Sequence, residues 1–427
     1  MKRPKRILTL VLALFMTIAC SGCMSGSVEK LYSLPQMSEE YVQLQDLIGQ
    51  RIAGGGAYAA PTGGSNRQSI QLRDLDGDGT AEALAFLSDE DGTPTVCVYR
   101  LNEDDDYYLY VIIRGYGSAV AGVDYADLNG DGSLELIVAW RGDGDLRLLS
   151  VHALGGTAHA EQKELFSVDC SEFLVCDLNG DGVDDLLDLC LTSGGGNLFL
   201  YTVDENGLVQ SSSAQLSAGV TGVRRAFAGS LADGTPALYV ESDMDGGLVT
   251  DVFAAPDSAV KNLTMTMLGY SNTLRPGGVY ATDVNGDRAV ELPAGAGDIL
   301  AWFSLNAAGE LTPAATTYYN IPDGWYLTLS GPLRQGLTVD RYGTDNEEVS
   351  AVFTLAGDDS APQRSVLVIY TITGENRLDR GTADGRFILQ EEESTVYAAQ
   401  ILTDELTAQD IIDNFHLIYA EWQSGDL

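Results

Sequence analysis

Four short segments of the chain repeat the same alternation of acidic residues and glycines. They read DLDGDGTAE from residue 74, DLNGDGSLE from residue 127, DLNGDGVDD from residue 177 and DVNGDRAVE from residue 283. Positions 1, 3, 5 and 9 carry Asp, Asn or Glu, and glycine recurs at positions 4 and 6, where it permits a tight loop. Such a loop directs several oxygen atoms to one point, and Ca²⁺ takes six to eight oxygen ligands.

These segments predict up to four structural Ca²⁺ sites, each completed by the main-chain carbonyl of position 7. Extracellular sites of this kind bind at about 10⁻⁴–10⁻³ M, which suits a structural role. We expect the fourth site to be the weakest, because Arg288 replaces its second glycine. The predicted ligands are Asp74, Asp76, Asp78, Thr80 (carbonyl) and Glu82; Asp127, Asn129, Asp131, Ser133 (carbonyl) and Glu135; Asp177, Asn179, Asp181, Val183 (carbonyl) and Asp185; and Asp283, Asn285, Asp287, Ala289 (carbonyl) and Glu291.

Two other interpretations of these segments deserve comparison. EF-hands and dockerin modules share the first half of the motif, but they need an acid at position 12 and helical flanks. Position 12 is here Ala85, Val138, Asp188 or Ala294, and the flanking residues alternate as in strands. The segments could also be plain acidic turns, since Asp, Asn and Gly favour turns. The repeated spacing of mutually repelling oxygens favours metal sites.

The spacing of the segments indicates a repeat architecture. Their starts lie 53, 50 and 106 residues apart, so one copy is missing near residue 228. There the chain has Ala228–Pro236 without the acids, followed by the strand-like run Ala237–Val240. Apolar residues two and four positions before each loop alternate as in a half-buried strand. Four strands in about 50 residues is typical of a β-propeller blade.

The predicted fold is therefore all-β: a β-propeller of about seven blades of four antiparallel strands, with six or eight blades as alternatives. Residues 38–53 are predicted to form an N-terminal helix with Tyr41, Leu44, Leu47 and Ile48 on one face. Thr407 and Asp410 form a variant capping box for a short C-terminal helix. The propeller would occupy residues 54–427.

The loops and their spacing resemble the FG-GAP/VCBS repeats of integrin α-subunit propellers and of many bacterial surface proteins. The clear copies cover residues 65–300. In the degenerate part, 301–427, only strand-like runs such as Glu348–Leu355 and Arg364–Thr373 continue the pattern. The resemblance implies a propeller that presents loops for binding a protein or a glycan.

The first residues have the pattern of a bacterial lipoprotein signal. Four cations precede an apolar run from Ile7 to Ala19, which is too short to span a bilayer as a helix. Ser21-Gly22-Cys23 resembles a lipobox, so we predict a signal peptide at 1–22, lipidation of Cys23 and a tether at 23–37. Cleavage before Cys20 and a plain secretory signal are the alternatives. The predicted protein is exported and lipid-anchored at the outer side of the cytoplasmic membrane.

Charge and composition limit the partners. With 24 Lys+Arg against 62 Asp+Glu, the formal charge is −38, so we exclude nucleic acid as a partner. No HExxH, CxxC or GxSxG motif is present, and a zinc site at His152 and His159 is only a minor alternative. We therefore predict a non-enzymatic, calcium-binding module for a protein or cell-envelope glycan. The alternative is a glycan-active hydrolase or lyase with a carboxylate or Tyr site in the propeller channel.

Overall fold

The computed structural model describes residues 39–142, 147–154, 163–204, 206–207, 209–275, 277–295, 297–334, 336–344, 347–357 and 362–418. The predicted signal peptide, the tether, Cys20 and Cys23 lie outside these residues. Only a small part of the described residues is helical. The α-helices are α1 (Glu39–Ala53), α2 (Arg377–Gly381) and α3 (Ala408–Asn414), and the 3₁₀ helices are Ile321–Asp323, Gly331–Arg334 and Ala383–Gly385.

Six antiparallel sheets of four or five strands account for most of the described chain, and each consists mainly of consecutive strands. Sheet 1 comprises β1 (Ala57–Tyr58), β2 (Ile70–Arg73), β3 (Glu82–Ser88), β4 (Pro94–Leu101) and β5 (Tyr107–Arg114). Sheet 2 comprises β6 (Ala119–Ala126), β7 (Glu135–Arg141), β8 (Arg147–Ala153) and β9 (Lys163–Cys170). Sheet 3 comprises β10 (Glu172–Cys176), β11 (Asp185–Thr192), β12 (Gly195–Val203) and β13 (Val209–Gln215).

The second half of the chain continues the same pattern. Sheet 4 comprises β14 (Val220–Ser230), β15 (Pro236–Met244), β16 (Gly247–Ala254) and β17 (Lys261–Asn262). Sheet 5 contains β18 (Glu291–Ala294), β19 (Ile299–Leu305), β20 (Leu311–Asn320) and β21 (Trp325–Thr328). Sheet 6 comprises β22 (Leu337–Thr344), β23 (Glu348–Leu355), β24 (Arg364–Thr373), β25 (Phe387–Glu391) and β26 (Thr395–Ile401). A last strand, β27 (Phe415–Leu417), pairs with β21 and so completes sheet 5.

The all-β prediction is confirmed, and the strands predicted at 348–355 and 364–373 coincide with β23 and β24. The described residues form six sheets, however, where the 53-residue period predicts about seven units. The period lengthens towards the C-terminal part: sheet 6 extends over residues 337–401, because α2 and a 3₁₀ helix are inserted between β24 and β25. Dividing the chain by a constant period therefore counts one unit too many.

Apolar side chains form layers between successive sheets. Each layer takes residues from two neighbouring sheets, because alternate side chains of a strand point to opposite faces. Representative pairs are Phe86 and Trp140 between sheets 1 and 2, Val151 and Leu186 between sheets 2 and 3, Leu200 and Phe253 between sheets 3 and 4, Tyr239 and Leu292 between sheets 4 and 5, and Trp325 and Phe353 between sheets 5 and 6. The sheets are thus packed in the order in which they occur in the chain.

Helix α1 packs against sheet 1, and α3 contributes Ile411 to the apolar layer between sheets 5 and 6. Leu44 and Ile48 of α1 are buried against sheet 1, as predicted, whereas Tyr41 is 43% exposed and does not belong to the buried face. The capping box of α3 is confirmed, since the Asp410 N–H donates to Thr407 Oγ1 and the Thr407 N–H donates to Asp410 Oδ2. Within the described part of the chain, no helix is both long enough and apolar enough to cross a bilayer.

Candidate metal centre

The acidic segments connect neighbouring strands in four of the six sheets. Three of them join β2 to β3 in sheet 1, β6 to β7 in sheet 2 and β10 to β11 in sheet 3, and the fourth lies between Thr282 and Glu291, which form a bridge at the start of sheet 5. We call them loops 1, 2, 3 and 5 after their sheets. In sheet 4, where the sequence predicts a copy without acids, Leu231–Thr235 forms a short hairpin turn between β14 and β15.

Glycine is needed in these loops because two positions have left-handed backbone. In loop 2, Gly130 and Gly132 have φ of 72° and 86°, and the corresponding glycines of loops 1 and 3 have similar values. In loop 5, Arg288 adopts φ of 78° at the sixth position, where a residue with a Cβ is strained. Arg288 therefore follows the same path as the glycines but at a conformational cost.

The first acid of each loop organises the backbone. In loop 2, Asp127 accepts hydrogen bonds from the N–H groups of Gly130, Asp131 and Gly132 at 2.7–3.1 Å. Asp177 in loop 3 and Asp283 in loop 5 accept the same three bonds from the corresponding N–H groups. The side chains at positions 3 and 5 each accept a bond from the N–H two residues further on. These bonds fix the side chains at positions 1, 3 and 5 against the backbone of their own loop.

The acid at position 9 is buried under its own loop. Glu82, Glu135, Asp185 and Glu291 are all at most 4% exposed, and each accepts a hydrogen bond from the N–H of position 2. Burial raises the pKa of Glu82 and of Glu135 to about 7, and the pKa of Asp185 and of Glu291 to about 6. A buried carboxylate beside further acids is stabilised by protonation or by a cation.

Loop 1 differs from the other loops in its charges. The carboxylates of Asp74, Asp76 and Asp78 lie within 4.8 Å of one another, and Asp74 Oδ1 is buried without a hydrogen-bond partner. Arg100 on the neighbouring strand β4 lies 3.5 Å from Asp76 Oδ2 and 3.8 Å from Glu82 Oε1. Loops 2, 3 and 5 have Asn at position 3, so each has three acids at its predicted ligand positions where loop 1 has four.

The residue paired with the acid at position 9 explains why loop 1 carries an additional acid. Arg100 is opposite Glu82 in the ladder between β3 and β4, one step beyond the pair Ala83 and Tyr99. Ala153, Thr202 and Ser304 occupy this position in sheets 2, 3 and 5. The extra acid that loop 1 has at its predicted ligand positions is thus offset by a buried guanidinium.

Successive loops also contact one another. The N–H of Leu134, at the end of loop 2, donates to the carbonyl of Leu75 in loop 1 at 2.7 Å. A Cβ at Gly77 would lie 2.8 Å from the carbonyl oxygen of Gly132, and a Cβ at Gly130 would lie 3.1 Å from Val183 of loop 3. Loops 1, 2 and 3 therefore form a continuous row, with their sheets packed behind them.

The sequence pattern misses a buried ionic cluster in sheet 4. Glu241, which is fully buried, accepts hydrogen bonds from Arg275 Nη2 at 2.7 Å, Arg225 Nε at 3.0 Å and the Ala281 N–H at 2.7 Å. Arg275 is also buried, which lowers its pKa, although Glu241 opposes that change. No repeat contains this cluster, so periodicity could not reveal it. The only sequence signal is an acid inside an apolar strand.

The remaining candidate residues do not form a metal or catalytic group in the described residues. His152 is buried beside Ser150 Oγ at 2.9 Å, and burial lowers its pKa, while His159 lies outside the described residues. Cys97 and Cys170 are buried, and Cys176 and Cys190 are half-buried; all four are free thiols.

Comparison with known proteins identifies no family for the chain. No family model matches the chain, and no curated protein matches it. Among solved structures, the chain is similar to the exotype rhamnogalacturonan lyase YesX, with 13% identity and a TM-score of 0.33 over 73% of this chain and 65% of the lyase. It is also similar to Sqt1 from Chaetomium thermophilum, with 12% identity and a TM-score of 0.34 over 85% of this chain and 96% of Sqt1. These similarities are consistent with a β-rich fold alone.

Proposed function

We propose that this protein is a calcium-stabilised β-propeller of FG-GAP/VCBS type that acts as a non-enzymatic binding module at the cell surface. The observation that carries the calcium part is the burial of one carboxylate under each of four equivalent acidic loops. Each of these carboxylates lies with at least two further acids in its loop. A divalent cation supplies the charge that such a group lacks.

The order of packing supports the propeller. Meanders of four strands that pack face to face in chain order are the building plan of propeller blades. The contacts among loops 1, 2 and 3 support a row of ion sites along the edges of the proposed blades. Calcium would then fix each loop and, through it, the contact with the next blade.

A calcium titration tests the metal sites. With a dissociation constant of about 1 mM, 10 mM Ca²⁺ adds about 1.4 kcal/mol of stability per site. The melting temperature of the metal-stripped chain should therefore rise with Ca²⁺, and rise less with Mg²⁺. Asp177→Asn should remove part of the rise. Asp233→Asn is the matched control, because the turn of sheet 4 lacks the acids of the motif, and it should leave the rise unchanged.

A second experiment tests the binding role. The calcium-loaded chain is incubated with an array of envelope glycans and proteins, and both retention and the masses of the ligands are measured. Retention of an intact ligand is the expected result. Cleaved glycan fragments would replace the proposal by the alternative, a glycan-active hydrolase or lyase.

If 10 mM Ca²⁺ leaves the melting temperature unchanged in the calcium titration, the metal part of the proposal is wrong.

A further inference from the structure

A cavity of about 430 Å³ lies beside the first strands of sheets 2 and 3. β6 and β10 are edge strands of their sheets, and residues 62–67 run along β6, where the Thr62 N–H donates to the Val120 carbonyl. The Asn66 amide likewise donates to the Val123 carbonyl at 3.3 Å. The cavity is thus framed by three segments of backbone, and its volume is in the range of small-molecule sites.

The charge of the cavity is opposite to that of the chain. Three arginines line it, Arg67, Arg141 and Arg147, against two acids, Asp124 and Glu172. In the whole chain acids outnumber Lys and Arg by 62 to 24. A concentration of guanidinium groups in one concave site of so acidic a protein favours an anionic ligand, because guanidinium pairs with carboxylate or phosphate in two-pronged geometry.

The guanidinium groups of Arg147 and Arg141 have different hydrogen-bond partners. Arg147 Nη1 donates to Glu172 Oε2 at 2.7 Å, so this pair is already neutralised. Arg141 Nη2 donates to Thr62 Oγ1 at 3.0 Å, and this is the hydrogen bond of the Arg141 side chain within the described residues. A guanidinium has five N–H donors, so within the described residues most donors of the exposed Arg141 face no partner and can pair with a ligand.

The other lining groups suit a polar ring. Phe173 is half-buried, and its ring lies 3.5 Å from the position of a Cβ on Gly122, so it forms an apolar wall of the cavity. The carboxylates of Asp124 and Glu172 can accept hydrogen bonds from hydroxyl groups. Anion recognition, hydroxyl acceptors and an apolar wall together match a sugar that carries a carboxylate.

We propose that this cavity binds an acidic monosaccharide unit, with Arg141 pairing with the sugar carboxylate. The inference rests on the proposed binding function and specifies its ligand class. It does not depend on the acidic loops for ligand contacts, since none of their predicted metal ligands lines the cavity.

Calorimetric titration of the full chain with glucuronate and with glucose, at constant ionic strength and 5 mM Ca²⁺, tests the proposal. We expect glucuronate to bind about tenfold more tightly than glucose or better, because a charge-assisted hydrogen bond is lost with the neutral sugar. Arg141→Gln should weaken glucuronate binding by about tenfold and leave glucose binding unchanged. Arg224→Gln is the matched control, since Arg224 is exposed, pairs with Asp243 and lies outside the cavity.

Three results would overturn the inference: no glucuronate binding, equal affinity for the two sugars, or unchanged affinity in Arg141→Gln. Competition with inorganic phosphate at equal affinity would show a general anion site and would also contradict the sugar. If the array experiment retains another ligand while glucuronate fails, this inference is wrong and the proposed binding function stands. If the calcium titration alone fails, only the metal part of that function is lost.

Discussion

Replacing the buried Glu241 in sheet 4 should destabilise the protein strongly. Glu241→Ala removes the acceptor of hydrogen bonds from Arg275, Arg225 and the Ala281 N–H, and also from Thr250 Oγ1 at 3.3 Å. The side chain of Arg275 is only 3% exposed, so its charge would remain buried without a counter-ion. Breaking a buried pair in this way costs about 3–5 kcal/mol.

An exposed ion pair provides the matched comparison. Arg364 Nη2 lies 2.6 Å from Glu405 Oε1, a distance as short as that of Arg275 to Glu241, but both side chains are close to half exposed. Glu405→Ala should therefore cost about 1 kcal/mol or less. The two substitutions remove the same side chain from an Arg–Glu pair, and they differ in burial and in the number of hydrogen bonds lost.

Urea unfolding measures both effects. With a slope of about 3 kcal/mol per molar urea, Glu241→Ala should lower the midpoint by about 1–1.7 M, and Glu405→Ala by about 0.3 M or less. Glu241→Gln keeps the size and one acceptor, so its midpoint should fall between these two. Equal midpoints for Glu241→Ala and Glu405→Ala would refute the reasoning. If Glu241→Ala does not fold, the midpoint of Glu241→Gln decides the question.

Three further predictions concern the acidic loops and α3. Because burial raises the pKa of Glu82 and Glu135 to about 7, the metal-free chain should lose stability as pH rises from about 5 through 7. Over the same range Ca²⁺ should bind more tightly. Melting temperatures in chelator and in Ca²⁺ measure both trends, and parallel trends would contradict the prediction. Arg288→Gly should stabilise the metal-free chain by about 1 kcal/mol by relieving the strain of the positive φ. Arg288→Ala removes the charge but keeps the Cβ, so it should not stabilise the chain. Equal melting temperatures of the two variants would show that the positive φ carries no cost. Thr407→Ala should cost about 1 kcal/mol through the lost cap of α3, and Thr403→Ala, just before that helix, should cost less in the same assay.

The repeated features were accessible from the sequence because they follow simple periods. Local sequence patterns determine the strands before and after the loops, the turn of sheet 4 that lacks the motif's acids, and the capping box of Thr407. Arg100 was not accessible, since its effect on loop 1 depends on the strand register that brings it opposite Glu82. The same holds for Glu241 and Arg275, which are 34 residues apart. The described residues form six sheets, the lower of the predicted alternatives, because the insertion of α2 lengthens the last unit.

The pairing of β27 with β21 has a consequence for the order of folding. The whole of sheet 6 lies between these two strands in the sequence, so β21 has a bare edge until the chain beyond sheet 6 arrives. The first four sheets can form from nearby segments as the chain emerges, but sheet 5 must wait for a contact of long sequence separation, and such contacts form slowly. Sheet 5 is therefore the place where an incompletely synthesised or clipped chain would expose an adhesive edge.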